Sequence, residues 1–221
     1  MEKVNCPNNC SSIIVKDGFQ KGTQRYKCKN CQKKFQLNYT YKAYYQETNK
    51  MIITLLKEGC GVRSISRILQ ISKNTVLSRM LSISKNIQKP VFTGYNKEYE
   101  IDEIWTYAGS KGNAVWITYC IEKKTKAVID FVVGSRTKEF ISGLINSVLL
   151  LNSKTIFTDK LNIYPGLIPK NLHKTFKFCT NIIERFNLTI RSHIKRLSRR
   201  TLCFSKEENY LKAHLKIYFW G

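Results

Sequence analysis

Carboxylates are scarce in this chain, fifteen among 221 residues, so each can be weighed. Glu2, Asp17, Glu47, Glu58, Glu207 and Glu208 fall in turns or on helix surfaces. Asp102 and Glu103 do not. They stand between Ile101 and Ile104-Trp105 in a strand-like run, where a buried charge is costly unless paired or bound to metal. Asp159 ends another strand run, and Glu184 lies on the helix after it. With the first strand beside the Asp159 strand and the helix packed across, three carboxylates converge. Oxygen ligands with open water positions suit Mg²⁺ or Mn²⁺. Two such ions about 4 Å apart activate a water or hydroxyl and stabilise the leaving oxygen of an in-line phosphoryl transfer. Arg191, on the Glu184 face of the helix, is placed to hold the phosphate or orient Glu184. Strand parity does not choose between Asp102 and Glu103, since apolar residues flank both. Asp130 reads as a satisfied polar residue on a sheet face, and His173 and His193 as structural histidines. No Ser-His-Asp or Cys-His set, phosphate loop or G-x-G-x-x-G is present.

A second chemistry lies upstream. Four of the eight cysteines form two close pairs, Cys6-x3-Cys10 and Cys28-x2-Cys31. That pattern suits structural zinc held tetrahedrally by four thiolates. Ile13-Ile14-Val15 and Gln24-Arg25-Tyr26 read as two short strands around Asp17-Gly18. Residues 1–38 are thus expected to be a zinc ribbon, with lysines placed for phosphate. Cys60, Cys120, Cys179 and Cys203 read as buried thiols.

The elements that must position these groups follow from periodicity. Residues 50–88, within a domain read as 45–89, are expected to be all-helical. Met51, Ile52, Leu55 and Leu56 form one stripe, and Ile65, Ile68 and Leu69 a second. Ser72 caps a third helix that buries Val76, Met80, Ile83 and Ile87. This predicts a helix-turn-helix with Lys73, Asn74, Ser78 and Arg79 turned outward towards bases or phosphates. Residues 90–97 read as a linker. From 98 to 221 the pattern is α/β: strands at 98–107, 115–121 and 127–133, a helix at 137–150, strands at 155–158 and 173–178, a helix at 180–197 and a last helix at about 205–218. That order is the one expected of a ribonuclease H-like domain with C-terminal helices.

A net charge of +23, from 38 Lys+Arg against 15 Asp+Glu, calls for a polyanionic partner, nucleic acid first. The apolar run 140–151 is too short to span a bilayer, which needs about 20 residues, and the N-terminus has no apolar leader. The expectation is a soluble cytoplasmic protein with no membrane partner.

At the acidic residues the sequence resembles transposases of the insertion-sequence-one family. The resemblance rests on Asp102-Glu103-Ile104-Trp105-Thr106-Tyr107-Ala108-Gly109, on Thr158-Asp159 with Tyr164 following, and on Ile183-Glu184-Arg185-Phe186-Asn187-Leu188-x-x-Arg191-x-His193. Arg199-Arg200-Thr201-Leu202-Cys203-Phe204-Ser205-Lys206 adds to it. The resemblance implies an Asp-Asp-Glu triad of Asp102, Asp159 and Glu184, with Glu103 in support and Arg191 as the basic residue after the Glu. It implies double-stranded DNA, both element ends and target, as the partner. It also implies a homo-oligomer on that DNA, beside the nucleoid of a bacterium or archaeon. The expected activity is metal-dependent strand cleavage and strand transfer. Alternatives are a catalytically inactive DNA-binding regulator and a ribonuclease H-like nuclease.

Overall fold

A computed structural model describes residues 4–10, 13–39, 41–93, 95–199, 201, 203 and 205–221. Glu2, Gly94 of the expected linker, and Arg200, Leu202 and Phe204 of the last motif lie outside the described residues. The chain divides into two compact units, Met1–Thr48 and Asn49–Gly221.

In the first unit, β1 (Ile14–Gln20), β2 (Thr23–Cys28) and β3 (Lys34–Gln36) form an antiparallel sheet in that order. The β1–β2 turn is at Lys21-Gly22, not at Asp17-Gly18 as the sequence suggested. Lys21 (φ 49°) and Gly22 (φ 78°) are both left-handed, as a two-residue hairpin turn requires. Gly18 (φ 71°) instead accompanies a register shift between Lys16 and Phe19, a bulge within β1. Asp17 is then positioned to pair with Arg25 (2.8 Å) on the neighbouring β2 and Lys34 (3.3 Å) on β3 beyond it.

The second unit begins with three helices, α1 (Thr48–Lys57), α2 (Val62–Leu69) and α3 (Lys73–Asn86). Each buries only part of its expected stripe: Ile52 and Leu56, Ile65 and Leu69, then Val76, Met80 and Ile83, while Met51 and Ile68 are exposed and Ile87 lies half-buried just past α3. Ser72 caps α3 by accepting the Thr75 peptide N–H at 3.0 Å. Gly59 (φ +76°) follows α1 where a Cβ would come within 2.7 Å of the His193 carbonyl oxygen, so only glycine fits.

A five-stranded mixed sheet follows, with strand order β6-β5-β4-β7-β8. The strands are β4 (Glu98–Tyr107), β5 (Ala114–Glu122), β6 (Val128–Gly134), β7 (Thr155–Phe157) and β8 (His173–Lys174). The first three pair antiparallel, whereas β4–β7 and β7–β8 are parallel. Between β6 and β7 runs α4 (Lys138–Leu149), capped by Thr137. After β8 come α5 (Asn181–His193) and α6 (Glu208–Trp220). Alternate residues of a strand face opposite sides. In β4, Ile104 joins the core under α5 and α6, while Tyr99 and Ile101 join the core under α4.

Several boundaries differ from the sequence expectation. The helix expected to run to Leu197 stops at His193. There Ile194 turns extended (φ −95°, ψ 92°) and a short 3-10 turn, Lys195–Leu197, follows. β8 has two residues rather than six. The last helix starts at Glu208, because Ser205 is bridged to Ala108 beside β4. Cys120 and Cys179 are buried thiols, but Cys203 is exposed and Cys60 half-buried. No helix among the described residues is long and apolar enough to cross a membrane.

α6 has two working faces. Leu211 and Leu215 pack on the sheet core, while α3 packs on the helix as well. His214 is buried (4% exposed) near the Leu56 carbonyl. Burial, aided by the Arg196 guanidinium, lowers its pKa to about 3. An unfolded histidine titrates near 6.5. Between those values the unfolded chain binds the extra proton, so stability is complete above pH 6.5 and falls as pH drops. The slope approaches about 1.4 kcal/mol per pH unit. Urea unfolding across pH 4–7 is expected to show this slope, and His214→Met to flatten it.

Candidate active site

The β4–β7 register decides where the acidic groups meet. Glu98 pairs with Thr155, Tyr99 with Ile156 and Glu100 with Phe157. Continuing by two residues brings Asp102 level with Asp159. Asp102, Glu103 and Asp159 each present a carboxylate oxygen, all within 4.8 Å of one another. Burial, and then the charges of Glu103 and Asp159, raise the Asp102 pKa to about 7. Burial also raises that of Glu103, against the Tyr164 and Arg136 contacts that oppose it. Three half-buried carboxylates at this separation repel one another unless a cation sits among them. Their hard oxygen donors are those that Mg²⁺ or Mn²⁺ takes.

Asp102 is held from two sides. Its Oδ1 accepts the Glu103 peptide N–H at 2.8 Å, and its Oδ2 accepts the Asn187 amide of α5 at 2.7 Å. Asn187 in turn accepts the Tyr119 hydroxyl at 2.6 Å. Tyr119 is the β5 partner of Asp102 in the sheet register. Burial, then the Asp102 charge, pushes its pKa up, so the hydroxyl stays a donor. Asn187→Leu breaks this relay at its centre. With Asp102 as a metal ligand, this would weaken Mn²⁺ binding about 10–100-fold, the usual effect of removing a ligand's orienting partner. Isothermal titration of a folded variant checks it.

Glu103 is gripped differently. Tyr164 donates its hydroxyl to Oε1, and Arg136 Nη2 donates to Oε2 at 3.0 Å. Arg136 also lies 3.7 Å from Asp159. Asp159 Oδ1 accepts the Leu161 peptide N–H at 3.0 Å.

Glu184 is not within the three-carboxylate group. It is exposed in the first turn of α5, where its Oε1 accepts the Thr180 hydroxyl at 2.8 Å. It shares a helix face with Asn187, one turn further on, which touches Asp102. Arg191 donates to the Leu197 carbonyl at 2.8 Å, and burial lowers its pKa. Asp130 pairs with Lys89 (2.5 Å) and Ser147 (2.6 Å), outside the acidic group. His173 contacts the Thr158 hydroxyl, and His193 that of Tyr218, each at 2.7 Å.

Three groups escaped the sequence reading. Glu100 is fully buried and accepts the Ile183 peptide N–H at 2.7 Å. A carboxylate from β4 thus satisfies an unpaired donor at the N-terminus of α5 and fixes the helix over the site. The alternation in Glu100-Ile101-Asp102 carried that signal, since both acids share a strand face. Tyr119 and Arg136 had no motif to mark them.

The four clustered cysteines meet in the first unit. Sγ separations are 3.4 Å (Cys6–Cys10), 3.6 Å (Cys6–Cys31) and 3.7 Å (Cys10–Cys28). Tetrahedral thiolates at ~2.3 Å from zinc would stand about 3.7–3.8 Å apart, so the set fits that ion. The Asn8 peptide N–H, 3.4 Å from Cys6 Sγ, helps lower that thiol's pKa to about 6 and so favours the thiolate a metal needs. On α3, Lys73, Asn74 and Ser78 are exposed and Arg79 half-exposed.

Comparison with known proteins places the chain in a family. A family profile described as IS1 transposase matches residues 98–218. The insertion element iso-IS1n protein InsB of Shigella dysenteriae is 39% identical over 118 residues, covering 53% of this chain and 88% of that one. The IS1 protein InsB of Shigella flexneri is 34% identical over 107 residues, covering 48% and 82%. For the IS1 4 protein InsB of Escherichia coli K12, 35% identical, the match spans 64% of the relative's length. A chain of a simian T-cell lymphotropic virus intasome, solved with PP2A regulatory subunit B56 gamma, aligns over 76% of this chain and 66% of its own. Its TM-score is 0.37 and its identity 16%, too low to assign a fold. With the profile spanning more than half of the sequence and the Shigella dysenteriae relative matched along most of its length, the chain belongs to the IS1 transposase family.

Proposed function

We propose that this chain is a DNA transposase that recognises the terminal inverted repeats of an element, cuts there and joins the freed 3′ hydroxyl to target DNA. The observation that carries the reading is the meeting of Asp102 and Asp159, set by the parallel β4–β7 register in a member of this family. In this reading 98–221 is a ribonuclease H-like domain, 45–89 a helix-turn-helix, 90–97 a linker and 1–38 a zinc ribbon. Lys73, Asn74, Ser78 and Arg79 meet the element's ends. Cys6, Cys10, Cys28 and Cys31 hold a structural zinc.

Asp102 and Asp159 hold Mg²⁺ or Mn²⁺, with Glu184 supplying the third carboxylate from the same face of α5 as Asn187. The bound ions would activate a water or the 3′ hydroxyl and stabilise the departing oxygen. The protein's own part is positioning. Asn187 and Tyr119 fix the Asp102 carboxylate, and Glu100 anchors α5 above it. Arg191 is proposed to orient Glu184 and the phosphate. Two ends must be held together, so the active form is a homo-oligomer on DNA, acting in the cytoplasm at the nucleoid.

A labelled duplex carrying the element's ends tests this. Metal-dependent nicking at the end followed by joining to a second duplex is expected. Binding without nicking would replace the reading with that of a regulator, and nicking without joining with that of a nuclease.

A further inference from the structure

The acidic pocket already contains a positive charge. Arg136, two residues past β6, contacts Glu103 Oε2 at 3.0 Å and lies 3.7 Å from Asp159 Oδ2. Its guanidinium rests 4.4 Å from the centre of the Trp116 ring. Trp116 is the β5 partner of Gly134, at the end of β6, so the sheet itself sets this platform beneath the arginine. Stacking on an aromatic face holds the planar fork in a defined place.

Arg136 Nε is buried without a hydrogen-bond partner among the described residues. A buried donor left unpaired is destabilising. What holds the guanidinium is the Trp116 stack and its contacts with the Glu103 and Asp159 carboxylates.

We propose that Arg136 is the resident counter-cation of this pocket. It keeps Glu103 and Asp159 together before a divalent ion arrives, and it competes with that ion for Asp159. The proposal rests on the reading that these carboxylates take a divalent metal. Glu103 is the anchor, since the Tyr164 hydroxyl and Arg136 hold its two oxygens. Asp159 is the group to be surrendered, being further from the guanidinium and held otherwise by the Leu161 N–H. The arginine thus lowers metal affinity and makes site filling conditional on its own displacement.

The test is isothermal titration of Mn²⁺ into the full chain with its cysteines zinc-loaded. Arg136→Gln is expected to tighten Mn²⁺ binding about tenfold or more, because like-charge repulsion is gone. Arg136→Lys, which keeps the charge, is expected to stay within about threefold of the parent. Without Mn²⁺, Arg136→Gln should melt at a lower temperature than the parent, and Mn²⁺ should raise its melting point by more. Unchanged or weaker Mn²⁺ binding in folded Arg136→Gln overturns the proposal. Should that variant fail to fold, Trp116→Leu carries the test, since it removes the platform and should also tighten binding; unchanged affinity there overturns it equally. The doubly substituted Asp102→Asn, Asp159→Asn protein should show no Mn²⁺ heat. Persistent binding in that control would sink the metal-site reading itself, a separate failure.

Discussion

Asp159→Asn is expected to cut strand cleavage by about 10³-fold or more while DNA affinity stays near that of the parent. The substitution keeps the shape and the acceptor for the Leu161 N–H but removes the charge that draws a cation. Asp159 is 42% exposed on its side chain and lies outside both hydrophobic cores, so folding should be little affected. Glu184→Gln should match it in size if Glu184 is the third ligand. Glu103→Gln is the discriminating partner, because Glu103 already lies beside the two aspartates. A silent Glu184→Gln with a dead Glu103→Gln would move the third ligand from α5 to β4. Gel-resolved nicking and band-shift measurements on the same preparations separate chemistry from binding.

The second large effect is expected at the cysteines. Cys28→Ser should unfold residues 4–39 and leave the second unit's melting point unchanged. Among its described residues the first unit buries few apolar side chains, Phe35 and Ala43 together with the thiols Cys6 and Cys28. A segment this small seldom folds on its core alone. Structural zinc contributes about 10–16 kcal/mol of apparent binding free energy in comparable peptides, so losing one thiolate removes most of the driving force. Hydrogen exchange on the full chain would read it, and a chelator should reproduce the variant's pattern. Protection of β1 and β2 that survives chelation would show that metal does not hold this unit.

The parts legible in the sequence were those where one signal dominates. β4 was bounded correctly at both ends, since an unbroken strand pattern ran from Glu98 to Tyr107. Ser72 and Thr137 were each expected to open a helix, and each accepts the peptide N–H three residues on. The β1–β2 turn was misplaced because Asp-Gly is a stronger hairpin signal than Lys-Gly. Only the pairing of Phe19 with Gln24 shows Gly18 to be a bulge. The choice between Asp102 and Glu103 could not be made from strand parity, and the structure explains why. The two point to opposite faces of β4, towards Asn187 and Tyr164, yet both reach the strand level of Asp159. Tyr119 and Arg136 were invisible because their importance comes from sheet register, which no local pattern encodes.

One packing arrangement sets how this molecule would measure DNA. α6 is wedged between the sheet and α3, and Lys89, just past α3, is pinned to Asp130 in β6. Under the proposed function, with α3 at the element's end and the acidic group at the bond to be cut, this packing would fix the spacing between the two within one protomer.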